Sequence, residues 1–207
     1  MDTTKDIRDD DLVRRMAAGD EEAFTVLYRR RQGGIYRFAL HMGGSSSTAE
    51  EVTQEVFLVL IREAKRFDPQ RGSLSSYLFG IARNHVLRSL ERDRPYVALA
   101  GGETELCVAA EAPWPAPHNF VDGLMRAETI ERVRRAVLAL PVNYREAVVL
   151  CDLEEMDYAQ AAAALGCAVG TVRSRLHRGR ALLLEKLRPI PVALEHRPAA
   201  RQARGAR

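Results

Sequence analysis

Residues 158–188 read YAQAAAALGCAVGTVRSRLHRGRALLLEKLR. The alanine-rich start predicts a helix that ends at Gly166, and a three-residue turn then leads into a second helix. Five apolar positions of this second helix fall within about 60° of one another at about 100° per residue, so they form one buried stripe. Two short helices joined in this way predict a helix-turn-helix. The five apolar positions are Val169, Val172, Leu176, Leu183 and Leu187.

The other face of the second helix is rich in arginine. Guanidinium groups suit a DNA major groove because one arginine can bond guanine O6 and N7 together. We therefore expect a DNA-recognition helix, and the alternative is an ordinary amphipathic surface helix with a solvated basic face. The candidate DNA-contacting residues are Thr171, Arg173, Ser174, Arg175, His177, Arg178 and Arg180.

The composition is that of a folded globular protein, since 46% of the 207 residues are hydrophobic and 29% are charged. The N-terminus is highly charged and no apolar run approaches the length of a membrane span, so we expect a cytoplasmic protein without membrane insertion. The three cysteines, Cys107, Cys151 and Cys167, follow no zinc-binding spacing. They predict neither a disulfide framework nor a metal site.

Helical periodicity covers most of the chain, and no segment alternates with the period of a strand. The predicted fold is all-α, with two small helical domains at 10–92 and 125–188. A flexible linker rich in proline and glycine is predicted at 93–124, and a disordered basic tail at 189–207. Gly33-Gly34 is expected to separate two helices. Trp114, inside the linker, is either a local anchor or a residue that docks on a partner.

The predicted helix 75–92 carries an aromatic ring, an amide and cations on the face opposite its apolar stripe. Tyr77, Asn84 and Arg88 lie on this face, and the loop 68–73 precedes the helix. Such a face suits single-stranded nucleic acid, because rings stack on bases and cations follow the phosphates. The loop could form the wall of a pocket for an extruded base. The alternative is a plain solvent-exposed surface.

The predicted helix 48–67 has a narrow polar stripe that contains a leucine. The stripe comprises Glu51, Gln54, Glu55, Leu58 and Arg62, while Phe57, Ile61 and Ala64 form a second apolar side of the helix. A leucine among acidic residues favours an interface with a basic protein. The alternative is a solvated face with one stray leucine.

Together these segments resemble the extracytoplasmic-function (ECF) group of bacterial RNA polymerase sigma factors. Segment 51–57 resembles the motif that binds core polymerase. Segments 67–73 and 77–84 resemble the region that melts and reads the −10 promoter element. Segments 140–146 and 166–178 resemble the domain that reads the −35 element.

The resemblance implies a factor that binds core RNA polymerase, directs it to specific promoters and helps to open the −10 region. It also implies an anti-sigma partner, and it requires neither a cofactor nor a catalytic residue because the polymerase performs the chemistry. The −35 contacts would come from the seven residues named above. The polymerase contacts would be Glu51, Gln54, Glu55 and Leu58, and the −10 contacts Phe67, Tyr77, Arg83, Asn84 and Arg88, with Asn84 at the position of the family's pocket asparagine.

Three positions depart from the family pattern. Tyr77 stands where tryptophan is common, and Gly80 stands where a large residue is frequent, which would remove a phosphate contact. Ala168 replaces the proline or serine that begins the recognition helix, so its cap is undefined.

Two other functions fit parts of the sequence. A free-standing helix-turn-helix regulator would bind promoter DNA without polymerase and as a symmetric dimer, but no dimerisation helix or ligand-pocket signature is evident. An enzyme acting on nucleic acid would need paired carboxylates, a zinc site, or a nucleophile with a base. The sequence contains no such constellation.

Overall fold

The computed structural model describes residues 7–98 and 120–188, with side chains for residues 7–92 and 128–188. Cys107, Trp114 and the predicted tail 189–207 lie outside the described residues, as does most of the predicted linker. The described residues form α-helices and short helical turns, without a strand. The helices are α1 (Asp9–Ala17), α2 (Glu21–Gly43), α3 (Ser46–Glu63), α4 (Leu74–Ala98), α5 (Phe120–Leu138), α6 (Val142–Val148), α7 (Tyr158–Leu165) and α8 (Val169–Leu187).

Helices α1 to α4 form the first half of the molecule around a buried apolar core. Leu12, Leu27, Phe38, Leu60 and Leu78 are fully enclosed in it. Side chains cap the helix starts, because Asp20 accepts a bond from the Ala23 amide at 3.0 Å and Ser45 accepts one from the Thr48 amide at 3.3 Å. The predicted apolar stripes of α3 and α4 therefore face one common interior.

Helix α2 runs without interruption through Gly33 and Gly34, so the predicted break at this pair is wrong. Each glycine costs a helix interior up to about 1 kcal/mol relative to alanine, but tertiary packing can offset that cost. Gly34 permits close packing inside the molecule, since an added Cβ would lie 3.2 Å from Glu154 Oε2 and 3.7 Å from Phe79 Cζ. The pair Gly43-Gly44, by contrast, does end α2, because Gly44 has a left-handed φ of 79°.

Two further details go beyond the sequence-based expectation. On the second apolar side of α3, Phe57 and Ala64 are buried, whereas Ile61 is 49% exposed. Helix α4 continues past Arg92 to Ala98, and α5 begins at Phe120, so helix enters the predicted linker from both ends. Extending an existing helix adds one hydrogen bond for each residue fixed, whereas only nucleation is costly.

Helices α5 to α8 form the second half, and α7 and α8 are the predicted helix-turn-helix with the predicted bounds. Asp157 caps α7 by accepting a bond from the Gln160 amide at 2.8 Å, and Gly166 ends it with a left-handed φ of 62°. Ala168 sits at the N-cap of α8 and offers no side-chain bond, in agreement with the sequence. A short π-helical turn, Val149–Leu153, connects α6 to the loop before α7.

The two halves pack against each other, chiefly through α7 of the second half on α4 of the first. Val149, Leu150 and Ala161 belong to the same buried apolar cluster as Phe38 and Leu78. The sequence predicted two helical domains, and the structure adds that their interiors are continuous. A second, smaller cluster lies wholly within the second half and contains Leu140, Ala147, Val148 and Leu176.

Gly179 marks the closest approach of α8 to α6, and we expect its replacement by alanine to lower the free energy of unfolding. An added Cβ would lie 2.8 Å from Val148 Cγ2 and 3.2 Å from the Tyr144 carbonyl oxygen. Val148 is fully buried and the oxygen belongs to the backbone, so neither can move without repacking. Overpacking outweighs the gain in helix propensity, and the net loss should be about 1–2 kcal/mol.

The matched control for Gly179→Ala is Gly170→Ala in the same helix. No neighbouring atom lies within 4 Å of a Cβ added at Gly170. That substitution should be neutral or should stabilise the protein by up to about 1 kcal/mol. Urea denaturation of both variants measures the difference, and equal free energies of unfolding would contradict the packing of α8 on α6.

Candidate nucleic-acid interface

The outward face of α8 presents most of the predicted recognition residues to solvent. Arg173, Ser174, His177, Arg178 and Arg180 are exposed, whereas Thr171 and Arg175 are partly buried. The inward face is fixed by Val172 and Leu176, which are buried. Because the apolar stripe holds the helix in one rotation, the exposed side chains project from a single surface.

Two of the exposed arginines are held by neighbours within the second half. The Arg173 guanidinium lies 5.6 Å from the centre of the Tyr158 ring, within the range of a cation–π contact. Arg180 donates two hydrogen bonds to Asp152, at 3.0 Å from Nε and 2.5 Å from Nη2. These bonds raise the pKa of Arg180 above its usual value. Both arginines are therefore oriented by contacts within the protein.

The remaining predicted recognition residues differ in the number of hydrogen bonds and ion pairs that they make within the protein. His177 and Arg178 make no hydrogen bond or ion pair with any residue that the structure describes. The Ser174 hydroxyl donates to the Thr171 carbonyl at 3.0 Å, and Arg175 Nη1 lies 3.9 Å from Glu146 Oε2. Side chains without internal partners keep all their donors for a ligand such as DNA, and Arg178 is an arginine of this kind.

A cavity of about 310 Å³ lies where the loop before α4 meets the start of that helix. The rings of Phe67 and Tyr77 line it with centroids 5.6 Å apart and planes tilted by 52°. Burial raises the pKa of Tyr77, which keeps the phenol neutral. A pair of aromatic faces beside a polar loop is suited to stacking an unpaired base.

The loop that lines this cavity is shaped by short-range hydrogen bonds. The Gln70 amide donates to Asp68 Oδ1 at 2.9 Å and the Arg71 amide donates to the Asp68 carbonyl at 3.0 Å, which makes a tight turn. Ser73 caps α4, since its hydroxyl accepts from the Ser76 amide at 3.2 Å. Serine is a favoured N-cap residue because its hydroxyl can accept from the first free amides of a helix.

The structure brings only some of the predicted −10 residues together at the cavity. Phe67 and Tyr77 line it, whereas Asn84 lies seven residues further along α4, about 10 Å away at about 1.5 Å per residue. Asn84 and Arg88 are exposed on α4. Arg83 is turned toward the second half, where its Nε lies 2.6 Å from Glu146 Oε1.

The polar stripe of α3 lies on the outside of the first half. Glu51 and Gln54 are exposed, Leu58 is 48% exposed, and Glu55 is partly exposed with an oxygen 3.8 Å from Arg62 Nη2. Ile61 extends the apolar part of the stripe by one turn beyond Leu58. An exposed leucine and isoleucine beside carboxylates form a mixed acidic and apolar surface. This surface is suited to a basic protein partner.

Glu146 and Ala163 lie at these surfaces, and the sequence analysis did not single them out. Glu146 is fully buried beside Arg83 and Arg175, and Ala163 of α7 forms part of the wall of the aromatic cavity. Their roles depend on contacts between the two halves, which periodicity within one helix does not encode.

Within the described chain, no three His, Cys, Asp or Glu side chains cluster as a metal site would require. No helix in the described ranges combines the length and apolar character needed to cross a bilayer.

Both halves match family models of known proteins. Residues 27–95 match Sigma-70 region 2, and residues 130–183 match Sigma-70, region 4. SigM of Mycobacterium tuberculosis, an ECF RNA polymerase sigma factor, is 32% identical over 179 residues, which cover 86% of this chain and 84% of SigM. The chain belongs to the ECF family of RNA polymerase sigma factors.

Other relatives of this sigma factor are similar over comparable lengths. The ECF sigma factor SigE of Mycolicibacterium smegmatis is 34% identical over 174 residues, which cover 83% of this chain and 65% of SigE. SigW of Bacillus subtilis is 28% identical over 183 residues, which cover 86% of this chain and 96% of SigW. The chain therefore spans about two thirds of SigE and nearly all of SigW.

Two solved structures resemble the sigma factor over most of its length. CnrH, solved in complex with the cytosolic domain of CnrY, superposes with a TM-score of 0.63 and 26% identity, over 86% of this chain and 95% of CnrH. The sigma factor RpoE of Bartonella quintana, solved in complex with the anti-sigma factor NepR, gives a TM-score of 0.60 and 27% identity. That match covers 75% of this chain and 91% of RpoE.

Proposed function

We propose that the chain is a promoter-specificity subunit, which binds core RNA polymerase, directs it to a set of promoters and helps to open the −10 region. The observation that carries the proposal is that both sigma regions lie on one chain and each presents a surface suited to its task. The sigma factor has no chemistry of its own to perform, because RNA polymerase synthesises the transcript. It would accordingly act in the cytoplasm, where the polymerase and the chromosome are.

Reading of the −35 element is assigned to the exposed face of α8. Arg178 and His177, which have no partner among the described residues, would contact base edges together with Arg173 and Ser174. Arg180 and Arg175 are held by carboxylates and are better suited to positioning the helix or contacting phosphates. Thr171, at the start of the helix, would approach the DNA backbone.

Opening of the −10 element is assigned to the aromatic cavity and to α4. Phe67 and Tyr77 would stack an extruded base, whose loss of duplex stacking must be offset by such contacts. Asn84 and Arg88, further along α4, would contact the following nucleotides of the same strand. Arg83 would join them once it is released from Glu146.

Binding of core polymerase is assigned to the exposed stripe of α3. The contacts would be Glu51, Gln54, Glu55 and Leu58. Leu58 supplies apolar area while the carboxylates select a basic partner. An anti-sigma factor is the second protein partner we propose, because RpoE of Bartonella quintana was solved with its anti-sigma factor.

Run-off transcription with core polymerase and a genomic promoter library tests the function. We expect specific start sites only when the chain is added, and no tight specific binding of duplex DNA by the chain alone. Specific duplex binding without polymerase would instead identify a free-standing regulator. A transcript pattern identical with and without the chain would contradict the proposal.

Replacing Arg178 by alanine should relax base preference at one position of the −35 element. A bidentate arginine–guanine pair discriminates between bases by about 1–3 kcal/mol. The ratio of transcription with the preferred base to transcription with the other bases should therefore fall by about 5- to 150-fold. Transcription from a library randomised across the −35 element measures this preference. The matched control is Arg180→Ala, which removes an arginine already bonded to Asp152 and should weaken all sequences alike.

A further inference from the structure

A small cavity of about 250 Å³ lies between α3 and α4 in the first half of the molecule. One wall belongs to α3 and carries the carboxylates of Glu51 and Glu55. The other wall belongs to α4 and carries the side chains of His85, Arg88 and Arg92. The cavity therefore lies between the stripe proposed for core polymerase and the surface proposed for the −10 element.

The opposite charges on the two walls do not pair with each other. The side chains of Glu51, His85 and Arg88 make no hydrogen bond or ion pair with any residue that the structure describes. Glu55 approaches Arg62 of its own helix, at 3.8 Å, instead of a cation of α4. The width of the cavity thus keeps the two signs of charge apart. A molecule that fills this space can contact both at once.

The Ser89 hydroxyl of α4 adds a buried polar group to the lining of the same cavity. Ser89 is 9% exposed, and its Oγ has no hydrogen-bond partner among the described residues. Buried polar atoms in native proteins almost always have a partner, so an exception needs a physical reason. A polar ligand in the cavity supplies that reason, because a hydroxyl can donate to an anionic group and accept from a cationic one.

The size and charge of the cavity together define a class of ligand. Sites for drug-sized molecules have volumes of about 300–1,000 Å³, so this cavity suits a smaller molecule. A ligand with a single charge would bring a like charge to one of the two walls, which is unfavourable. A small molecule with an amine at one end and a carboxylate at the other avoids this repulsion. Amino acids and dipeptides have this chemistry and this size.

We propose that the cavity between α3 and α4 binds a small zwitterionic metabolite of amino-acid or dipeptide chemistry. Its ammonium group would lie against Glu51 and Glu55. Its carboxylate would accept hydrogen bonds from Arg88 and from the Ser89 hydroxyl. Hydrogen bonds between charged groups are about twice as strong as those between neutral groups, so a few such contacts can hold a small ligand.

Occupancy of this site would compete with core polymerase, and this consequence rests on the proposed function. Glu51 and Glu55 are proposed polymerase contacts, so a ligand that holds both carboxylates withdraws them from the partner. At a ligand concentration about ten times its dissociation constant, competition weakens the apparent affinity for polymerase by about tenfold. The metabolite would thereby control how much of the sigma factor is bound to polymerase.

Isothermal titration calorimetry of the full chain tests the site, with the standard α-amino acids and glycylglycine as probes. We expect at least one probe to bind with a dissociation constant of about 1 mM or below. The same probe with its amine acetylated, or with its carboxylate converted to an amide, should bind at least about tenfold more weakly. The proposal is overturned if no probe binds, or if the singly charged derivatives bind as well as the parent probe.

Replacing Ser89 by alanine tests whether the probe occupies this cavity. The lost hydroxyl has no partner within the described chain, so the fold should be retained, while the probe should bind at least about fivefold more weakly. The matched control is Ser75→Ala in the same helix, because Ser75 does not line the cavity. Its replacement should leave probe binding unchanged. Equal affinities of the two variants would place the probe elsewhere on the molecule and overturn the site.

Titration of core polymerase with and without the probe measures the competition. At about ten times its dissociation constant for the unsubstituted chain, the probe should weaken polymerase binding about tenfold in that chain and about threefold in Ser89→Ala. If Ser89→Ala weakened polymerase binding with no probe present, the cavity would hold a polymerase side chain instead of a metabolite. If the unsubstituted chain binds no polymerase, the proposed function fails, while calorimetry still decides whether the site exists.

Discussion

Replacing Arg145 by methionine is expected to lower the free energy of unfolding by about 3–5 kcal/mol. Arg145 is 8% exposed, and its guanidinium donates to the carbonyls of Met42 at 2.5 Å, of Leu140 at 3.0 Å and of Leu138. Methionine fills similar volume without any donor, so three carbonyls would lose their partner. An unsatisfied buried carbonyl costs about 1–3 kcal/mol, and the relief of burying a charge offsets part of the total.

The contacts of Arg145 explain why this loss should affect the whole molecule. Leu138 and Leu140 lie at the end of α5 and just after it, while Met42 lies near the end of α2 in the other half. Burial lowers the pKa of Arg145, yet an arginine remains protonated at any working pH. One charged side chain thus satisfies carbonyls at the ends of two helices, where backbone groups lack helical partners.

Urea denaturation monitored by circular dichroism measures the effect of Arg145→Met. The matched control is Arg135→Met, because Arg135 is 61% exposed and its ion pair with Glu131, at 3.7 Å, lies at the surface. Exposed pairs of this kind contribute at most about 1 kcal/mol. If the two variants unfolded at the same urea concentration, the guanidinium of Arg145 would not be supporting the helix ends.

The helix-turn-helix was predictable because its signals are local. Asp157 caps α7, Gly166 ends it, and the apolar stripe of α8 has the period of a helix, so the predicted bounds of both helices agree with the structure although α8 has no capping side chain. The stripe of α3 that contains Leu58 was predictable for the same reason. In each case the residues that decide the structure lie within one or two turns of one another.

Features that join the two halves left no such signal. From the sequence, Gly34 was predicted to break a helix and Gly80 to remove a phosphate contact. In the structure each glycine permits close packing against a residue more than 80 positions away, Glu154 for Gly34 and Ala164 for Gly80. The pairing of Arg83 with Glu146 likewise links residues 63 positions apart. A buried ion pair of this kind cannot be told from two surface charges by sequence pattern. The helix period places Ile61 on an apolar side of α3, but it does not determine whether another helix covers that side.

Replacing Glu55 by lysine is expected to weaken binding of core polymerase by at least about a hundredfold. The polymerase contact proposed for α3 needs a basic partner, and placing like charges opposite each other costs several kcal/mol. Folding should be retained, because Glu55 is partly exposed and its pair with Arg62, at 3.8 Å, is a surface contact worth at most about 1 kcal/mol. Co-purification with core polymerase and a titration of binding affinity measure the change.

Glu63→Lys is the matched control for Glu55→Lys, since it makes the same change of net charge on the same helix. Glu63 pairs with Arg66 at the surface, at 2.8 Å, and lies about 140° around α3 from Leu58 and about 12 Å along the helix from Glu55, at about 100° and about 1.5 Å per residue. Its replacement should leave polymerase binding within about threefold of the original, because long-range charge effects are screened within about 10 Å at moderate salt. Equal losses for both variants would mean that polymerase responds to the net charge of the chain, and Glu55 would then have no specific place in the interface.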